Sequence, residues 1–171
     1  MTVKESSSQP MNVQIRRYLT SDLDDVIELS LLAWEPVFVE WQRILGPELF
    51  PIAIFADWRT GQKEEVEGII NDVKFTTWVA EVDGKVAGFV SYQLNDKTKI
   101  GEVQLLAVHP GYQKHGIGAQ LNLLALEKLK EGGMKVAEVG TGGDEAHAAA
   151  RKSYEKAGYT GLPLVRYYKA L

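Results

Sequence analysis

The densest chemical signal in the chain is the run Gln113-Lys114-His115-Gly116-Ile117-Gly118. Two closely spaced glycines precede a stretch with helical apolar spacing. Such a loop aims several backbone N–H groups at one point, at the positive end of a helix. That point suits a diphosphate, because Gly116 and Gly118 place no side chain between phosphate and backbone. Lys114 and His115 add donors or positive charge. A P-loop would need Gly-Lys-Ser/Thr, which is absent. A dinucleotide fingerprint needs a third small residue where Leu121 stands, and a repeated parallel βαβ pattern. Glu138, 20 residues beyond Gly118, is the one feature that keeps this rival open.

What must hold the loop is legible on both sides of it. Val13, Ile15 and Tyr18 start a strand, and Thr20-Ser21-Asp22 reads as a helix start. Leu23, Val26, Ile27, Leu31 and Trp34 recur at helical spacing. Pro36 is expected to kink or end that helix, and Gly46-Pro47 to break it. A second helical region is expected over 48–70, interrupted near Thr60-Gly61. Strands follow over Phe75–Val82, Val86–Leu94 and Gly101–Val108, the first two joined by an Asp83-Gly84 hairpin turn. An amphipathic helix spans Gly116–Lys130. A strand over Met134–Val139, a helix over Glu145–Ala157 capped by Asp144 and stopped by Gly158, and a last strand over Val165–Ala170 complete the pattern. This is an α/β (α+β) chain with helices packed on a mixed sheet.

The 171 residues suit one domain over 11–171, preceded by a polar tail at 1–10. The net charge of −4 argues against a broad nucleic-acid-binding surface. With no cysteine, disulfides, thiolate metal sites and a cysteine nucleophile are excluded. Three scattered histidines make no metal-ligand pattern. No apolar run approaches a membrane span, and no signal peptide is visible, so a cytoplasmic location is the default expectation.

The strand end Leu106-Ala107-Val108-His109-Pro110, followed by Gln113-x-x-Gly116-x-Gly118, resembles the coenzyme-binding motif of the GNAT superfamily of N-acetyltransferases. Ala150-Arg151-Lys152-Ser153-Tyr154-Glu155-Lys156-Ala157-Gly158-Tyr159 is similar to a second segment of that superfamily. The resemblance extends from about Val13 to the end of the sequence. It implies a mostly antiparallel central sheet of six to seven strands flanked by about four helices. It also implies acetyl-CoA as co-substrate, a primary amine as acceptor, and direct transfer in a ternary complex without metal.

By the same resemblance, the backbone of Leu106, Ala107 and Val108 binds the pantetheine arm and the thioester carbonyl. Gln113, Lys114, His115, Gly116, Ile117, Gly118 and Ala119 hold the diphosphate. Tyr154 faces the sulfur and donates a proton to the leaving thiolate. His147 stands where relatives commonly carry a pantetheine-contacting asparagine. It shares a helical face with Arg151 and Tyr154, and contact, base and capping roles are all open to it. Glu102 matches a catalytic glutamate and is the first candidate for general base, against a plain role as a solvated strand-end charge. Glu138 is the reserve.

The acceptor side is expected to be built by the first helices and the final strand. Trp34, Phe38 and Trp41 are expected in a helix–helix core. An aromatic wall with Glu35, Glu40 or Asp57 is the cation-binding alternative. Tyr167 or Tyr168 is expected to reach the site from the last strand, and the aromatic-rich helices offer a face for a homodimer.

Overall fold

The computed structural model describes residues 11–171; the tail expected at 1–10 lies outside the described residues. The elements run β1 (Val13–Arg17), α1 (Leu23–Ala53), α2 (Trp58–Asn71), β2 (Phe75–Val82), β3 (Lys85–Asn95), β4 (Ile100–Val108), α3 (Ile117–Glu131), β5 (Val136–Val139) and α4 (Ala148–Lys156). The strands form one sheet in the order β1-β2-β3-β4-β5. Neighbours are antiparallel except β4 and β5, which are parallel. The β2–β3 turn forms as the sequence predicts, with Asp83 and Gly84 both at positive φ.

Strand periodicity sorts the core into two layers. Val79, Phe89, Leu105 and Ala107 face α1 and α2. Ala80, Val90, Tyr92 and Val103 face α3, where they meet Ile117, Leu121, Ala125 and Leu129. Consecutive residues such as Phe89 and Val90 enter opposite layers, as a period of two requires. Arg16 on β1 ties the sheet to the start of α1, bonding Asp22 at 2.7 Å and Glu81 at 2.9 Å. The Arg16 hydrogen bond outweighs the upward push of burial and holds the Asp22 carboxyl below its usual range.

Three expectations need correction. α1 keeps helical backbone through Pro36, because Trp34 and Phe38 on either side of it are anchored in the core. Its break falls at Gly46, with φ 70°, and Pro47 restarts it. The interruption before α2 falls at 54–57, not at Thr60-Gly61. Asp57 caps α2 by accepting the Arg59 N–H, and Gly61 sits inside the helix because its missing side chain makes room for the Phe55 ring. The last strand is absent: beyond α4 the chain joins no sheet, with Leu164, Val165 and Tyr167 82%, 75% and 88% exposed. The sheet therefore has five strands among the described residues, not six or seven. Apolar alternation marks side chains fit for a pleated surface, but a strand also needs an edge to pair with, and this segment meets none.

Two close approaches fix the layers around β4. A Cβ on Gly88 would stand 2.9 Å from the Ala107 carbonyl and 3.1 Å from Leu121. Only glycine lets β3, β4 and α3 meet there. At the next residue of α3, Asn122 is buried and accepts the Tyr159 hydroxyl at 3.3 Å. Burial first, and then the neighbouring Tyr154, push the Tyr159 phenol up to about 12.

Gly88→Ala is expected to lower stability by about 1–3 kcal/mol through overpacking, read as a lower urea midpoint at unchanged m-value. Because the folded state holds the Tyr159 proton more tightly than the unfolded chain, its stability contribution is intact below about pH 10 and lost as pH rises toward 12. Tyr159→Phe should flatten that alkaline fall, measured as denaturation midpoint against pH.

Candidate active site

The cleft begins at a single irregularity in β4. In the β3–β4 ladder, Ser91 pairs with Leu105 and Tyr92 with Val103, so Gln104 is an extra, unpaired residue. Such a bulge bends its strand and resets the alternation of its side chains. Val103 and Leu106, three apart, consequently both pack against the α3 layer. The β4–β5 pairing runs from Ile100↔Val136 to Val103↔Val139 and stops there, one residue before the bulge. From Gln104 to Val108 the two strands part.

The parted half of β4 presents a free backbone edge. The His109 N–H donates to Ala87 O on β3 at 2.9 Å. Alternation then turns Leu105 and Ala107 toward β3, and the N–H and C=O of Leu106 and Val108 toward the gap. An extended chain lying in the gap would pair with these groups as an added strand. The Gln113 amide reaches back to Val108 O at 3.1 Å, which fixes the end of the gap to the loop that follows.

That loop holds two left-handed residues, Lys114 at φ 66° and Gly116 at φ 80°. The positive φ of Lys114 costs about 1–2 kcal/mol. Ile117, almost completely buried, gains about 1.5–3 kcal/mol and offsets it. Gln120 is the first residue of α3 whose N–H finds a backbone acceptor, at Gly116 O. The backbone N–H groups of Lys114, His115, Gly116, Ile117, Gly118 and Ala119 make no hydrogen bond among the described residues. Six consecutive donors at the positive end of a helix fit a diphosphate. Gly118 faces Val108 and Leu106 at 3.5 and 3.8 Å from where a Cβ would sit, so the loop and the free edge are contiguous.

α4 supplies the side chains. Tyr154 is half-buried, edge-on to the Tyr159 ring at 5.6 Å, and burial pushes its phenol up. Through Tyr159 and Asn122 this part of α4 reaches α3. The opposite end of α4 reaches α1. His147 Nδ1 donates to the Asp144 carboxylate at 2.8 Å, and the Trp41 indole N–H donates to Asp144 Oδ2 at 3.0 Å. The Trp41 and His147 rings lie 5.7 Å apart. Arg151 donates to the carbonyls of Gly142 and Asp144, both at 2.6 Å. Burial alone would raise the Asp144 carboxyl, but the bonds from Trp41 and His147 hold it below its ordinary value. Since α1 and α3 cover opposite faces of the sheet, the segment from His147 to Tyr159 has one end on each face.

Glu102 lies on the still-paired half of β4, opposite Gln93, whose amide donates to its Oε2 at 2.7 Å. Its register partner on β5 is Glu138. Both project on the α1 face, because their neighbours Val103, Ala137 and Val139 pack toward α3. The structure thus joins Leu106 and Val108 to the 113–119 loop, sets Glu102 and His147 on the α1 side of the sheet, and places Tyr154 against Tyr159. Sequence reasoning expected Asp144 as a helix cap, Trp41 in the core or an aromatic wall, and the Gly140–Asp144 loop as a connection or a border of the acceptor cleft. It did not foresee that Asp144, Trp41 and Gly142 converge on His147. Only the glycine-rich loop hinted at that convergence.

The expected acceptor wall takes a different form. Phe38, Phe50 and Trp58 are a buried cluster, as the core expectation for Phe38 holds, and the cation over the Trp58 ring is the chain's own Arg59 at 4.2 Å. Glu35 pairs with Arg59, Glu40 with Arg43, and Asp57 is spent on the α2 cap. Tyr167 and Tyr168 lie in the irregular segment beyond α4 and on no strand of the sheet. No group of three or more potential metal-ligating side chains occurs among the described residues, and no helix there is long and apolar enough to cross a membrane.

Comparison with known proteins agrees with this geometry. The profile of the Acetyltransferase (GNAT) family matches residues 31–159. The chain is 32% identical over 151 residues to an uncharacterised N-acetyltransferase of Archaeoglobus fulgidus, covering 83% of this chain and 89% of that one. It is 30% identical over 158 residues to the mycothiol acetyltransferase of Tsukamurella paurometabola, covering 90% of this chain but 50% of that longer protein. The fold superposes on the PaiA N-acetyltransferase of Thermoplasma acidophilum, solved in complex with coenzyme A, with a TM-score of 0.65 at 20% identity over 88% of this chain and 91% of that one. The chain belongs to the GNAT acetyltransferase family and is an acyltransferase that uses acetyl-CoA.

Proposed function

We propose that this chain transfers an acetyl group from acetyl-CoA to a primary amine by direct attack, with both substrates bound at once. The observation that carries the proposal is the continuity of the six free N–H groups of 114–119 with the free edge of Leu106 and Val108. Diphosphate, then an extended amide-bearing arm, then a thioester is the order of groups that such a path receives. The co-substrate supplies the activated acyl group; the chain supplies its placement. A backbone N–H on the parted half of β4 stabilises the oxygen that gains charge during attack.

Tyr154 donates the proton that the departing sulfur needs. Its burial supports this role, because a phenol pushed upward stays protonated across the neutral range. Glu102 and Glu138, adjacent in register on the acceptor face, draw the cationic amine toward the gap. No covalent enzyme intermediate is involved, since the chain has no cysteine and no serine in a nucleophile motif. A cytoplasmic setting and a homodimer through the exposed Val39, Ile44 and Ile52 of α1 belong to the same proposal.

A second class, a dinucleotide-dependent oxidoreductase on the same loop, predicts a different ligand. Acetyl-CoA or CoA at about 100 times its Kd should stabilise the chain by about 2.7 kcal/mol in a thermal-shift experiment, and NAD should not. Stabilisation by NAD alone would sink the acetyltransferase proposal. Failure to acetylate any member of a panel of polyamines, amino acids, peptide N-termini and aminoglycosides, despite acetyl-CoA binding, would leave a binding module instead. Tyr154→Phe should lower kcat roughly 100-fold with acetyl-CoA affinity little changed by calorimetry. An unchanged kcat would remove Tyr154 from the proton path.

A further inference from the structure

We infer that His147 is the proton acceptor for the incoming amine, with Asp144 and Trp41 as positioning residues. The inference rests on the acetyltransferase reading above and adds the base to it. Three independent features converge on this imidazole.

The first is its tautomer. An ionised carboxylate only accepts, so the 2.8 Å contact with Asp144 places the proton on His147 Nδ1. Nε2 is left with a lone pair and no partner among the described residues. Asp144 is itself fixed, by the Trp41 indole N–H at 3.0 Å and the His147 backbone N–H at 3.2 Å. Imidazole and carboxylate are 13% and 11% exposed, so the pair is shielded from bulk water with a small part left at the surface.

The second is the loop. A Cβ on Gly142 would collide with both His147 Nδ1 and Asp144 Oδ2, so the pair exists only because that position is bare. Arg151 then holds the Gly142 and Asp144 carbonyls in place. A helix cap alone would not require the loop to be packed onto the imidazole in this way.

The third is position along α4. His147 touches Trp41 of α1, while Tyr154 packs on Tyr159, whose hydroxyl donates to Asn122 of α3. Seven residues of helix separate them by about 10 Å. One continuous segment thus sets an imidazole on the α1 side and a phenol toward the α3 side of the sheet, the placement that a base for the amine and an acid for the sulfur require. Carboxylates as a class are weak bases toward an alkylammonium, whereas an imidazole is the closer match at neutral pH.

The step balances as follows. Nε2 takes one proton from R–NH3+ and later releases it to water. The freed amine forms the C–N bond as the C–S bond breaks. The Tyr154 hydroxyl gives its proton to sulfur, and the second proton lost by nitrogen returns to the phenolate through water. Each turnover releases one proton.

Charged groups facing the imidazole are Asp144 from the loop, Arg151 from α4, and the Glu40–Arg43 pair on α1, whose Glu40 feels the Asp144 charge. Ring-nitrogen NMR of the free protein should show His147 protonated at Nδ1. The acidic limb of kcat/KM should coincide with the His147 titration in that spectrum. His147→Gln should abolish the limb and lower kcat/KM roughly 100-fold or more, with acetyl-CoA affinity retained by calorimetry. Asp144→Asn removes the carboxylate that fixes the Nδ1–H tautomer, so kcat should fall with acetyl-CoA affinity retained, and an unchanged kcat would remove Asp144 from the positioning role. A limb that survives in His147→Gln and vanishes in Glu102→Gln would overturn the inference while leaving the transferase reading intact. So would an Nε2–H tautomer, or lost acetyl-CoA affinity with kcat unchanged. Wild-type chain that binds no acetyl-CoA would instead overturn the underlying reading, and this inference with it.

Discussion

The parting of β4 from β5 is the constraint on which the rest of the molecule turns, and it traces to one residue. Gln104 has no partner on β3, and the β5 ladder ends at Val103, immediately before it. A buried sheet does not leave strand edges unpaired without cause, because each unpaired backbone group forfeits a hydrogen bond worth about 0.5–1.5 kcal/mol. The cost is contained by the layers on either side. Leu105 and Ala107 stay buried against α1 and α2, while Leu106 and Val108 pack toward α3. The bulge makes this possible, since it shifts the alternation so that both halves of β4 still bury apolar side chains. The β5-side edge can stay free because the β3 ladder on the other side and the buried side chains together hold this half of the strand.

The donor side is consequently written in backbone. Six N–H groups, two strand residues and the glycines that let a ligand approach them make no demand on side-chain identity beyond smallness and a compatible φ. The anchoring falls to Ile117, Leu121 and Leu129, which hold α3 and hence aim its N-terminus. The acceptor side is written in side chains brought from distant parts of the chain. Trp41 and Asp144 are separated by 103 residues, and their hydrogen bond sets the orientation of His147.

This division explains what was legible in the sequence. Local signals survived: the Asp83-Gly84 turn, the Gln113–Gly118 loop, the Asp144 cap and the Gly158 stop all appear where spacing placed them. Each of these depends on the φ preference or capping chemistry of one or two residues. Features that depend on a distant partner were not legible. The bulge at Gln104 has no local signature, because it is a mismatch between two strands rather than a property of one. Gly61 read as an interruption and serves instead as the seat of Phe55. The residues after Gly161 carry strand-like side chains and lack an edge to join. For the Asp144–His147 pair, the sequence offered only the bare glycines of the preceding loop. Their meaning depends on knowing that the imidazole packs against them.

The acceptor face also limits what kind of recognition is available. Phe38, Phe50 and Trp58 are 2%, 3% and 6% exposed, so the aromatic cluster holds α1 to α2 and has little surface to offer a substrate. A cation is already stacked on Trp58, from Arg59. On the acceptor reading proposed above, discrimination among amines falls to groups that remain at the surface of the α1 side: the Glu102–Glu138 carboxylates, the Glu35–Arg59 pair and the rim of the Gly140–Asp144 loop. Exposed ion pairs contribute only about 0–1 kcal/mol each, so an incoming amine can replace Arg59 as the partner of Glu35 at little cost. A site of this kind selects by charge and reach more than by shape. On the proposed function, specificity would reside in how far an ammonium extends from the acidic rim to the gap beside Val108, a distance set once more by where β4 leaves β5.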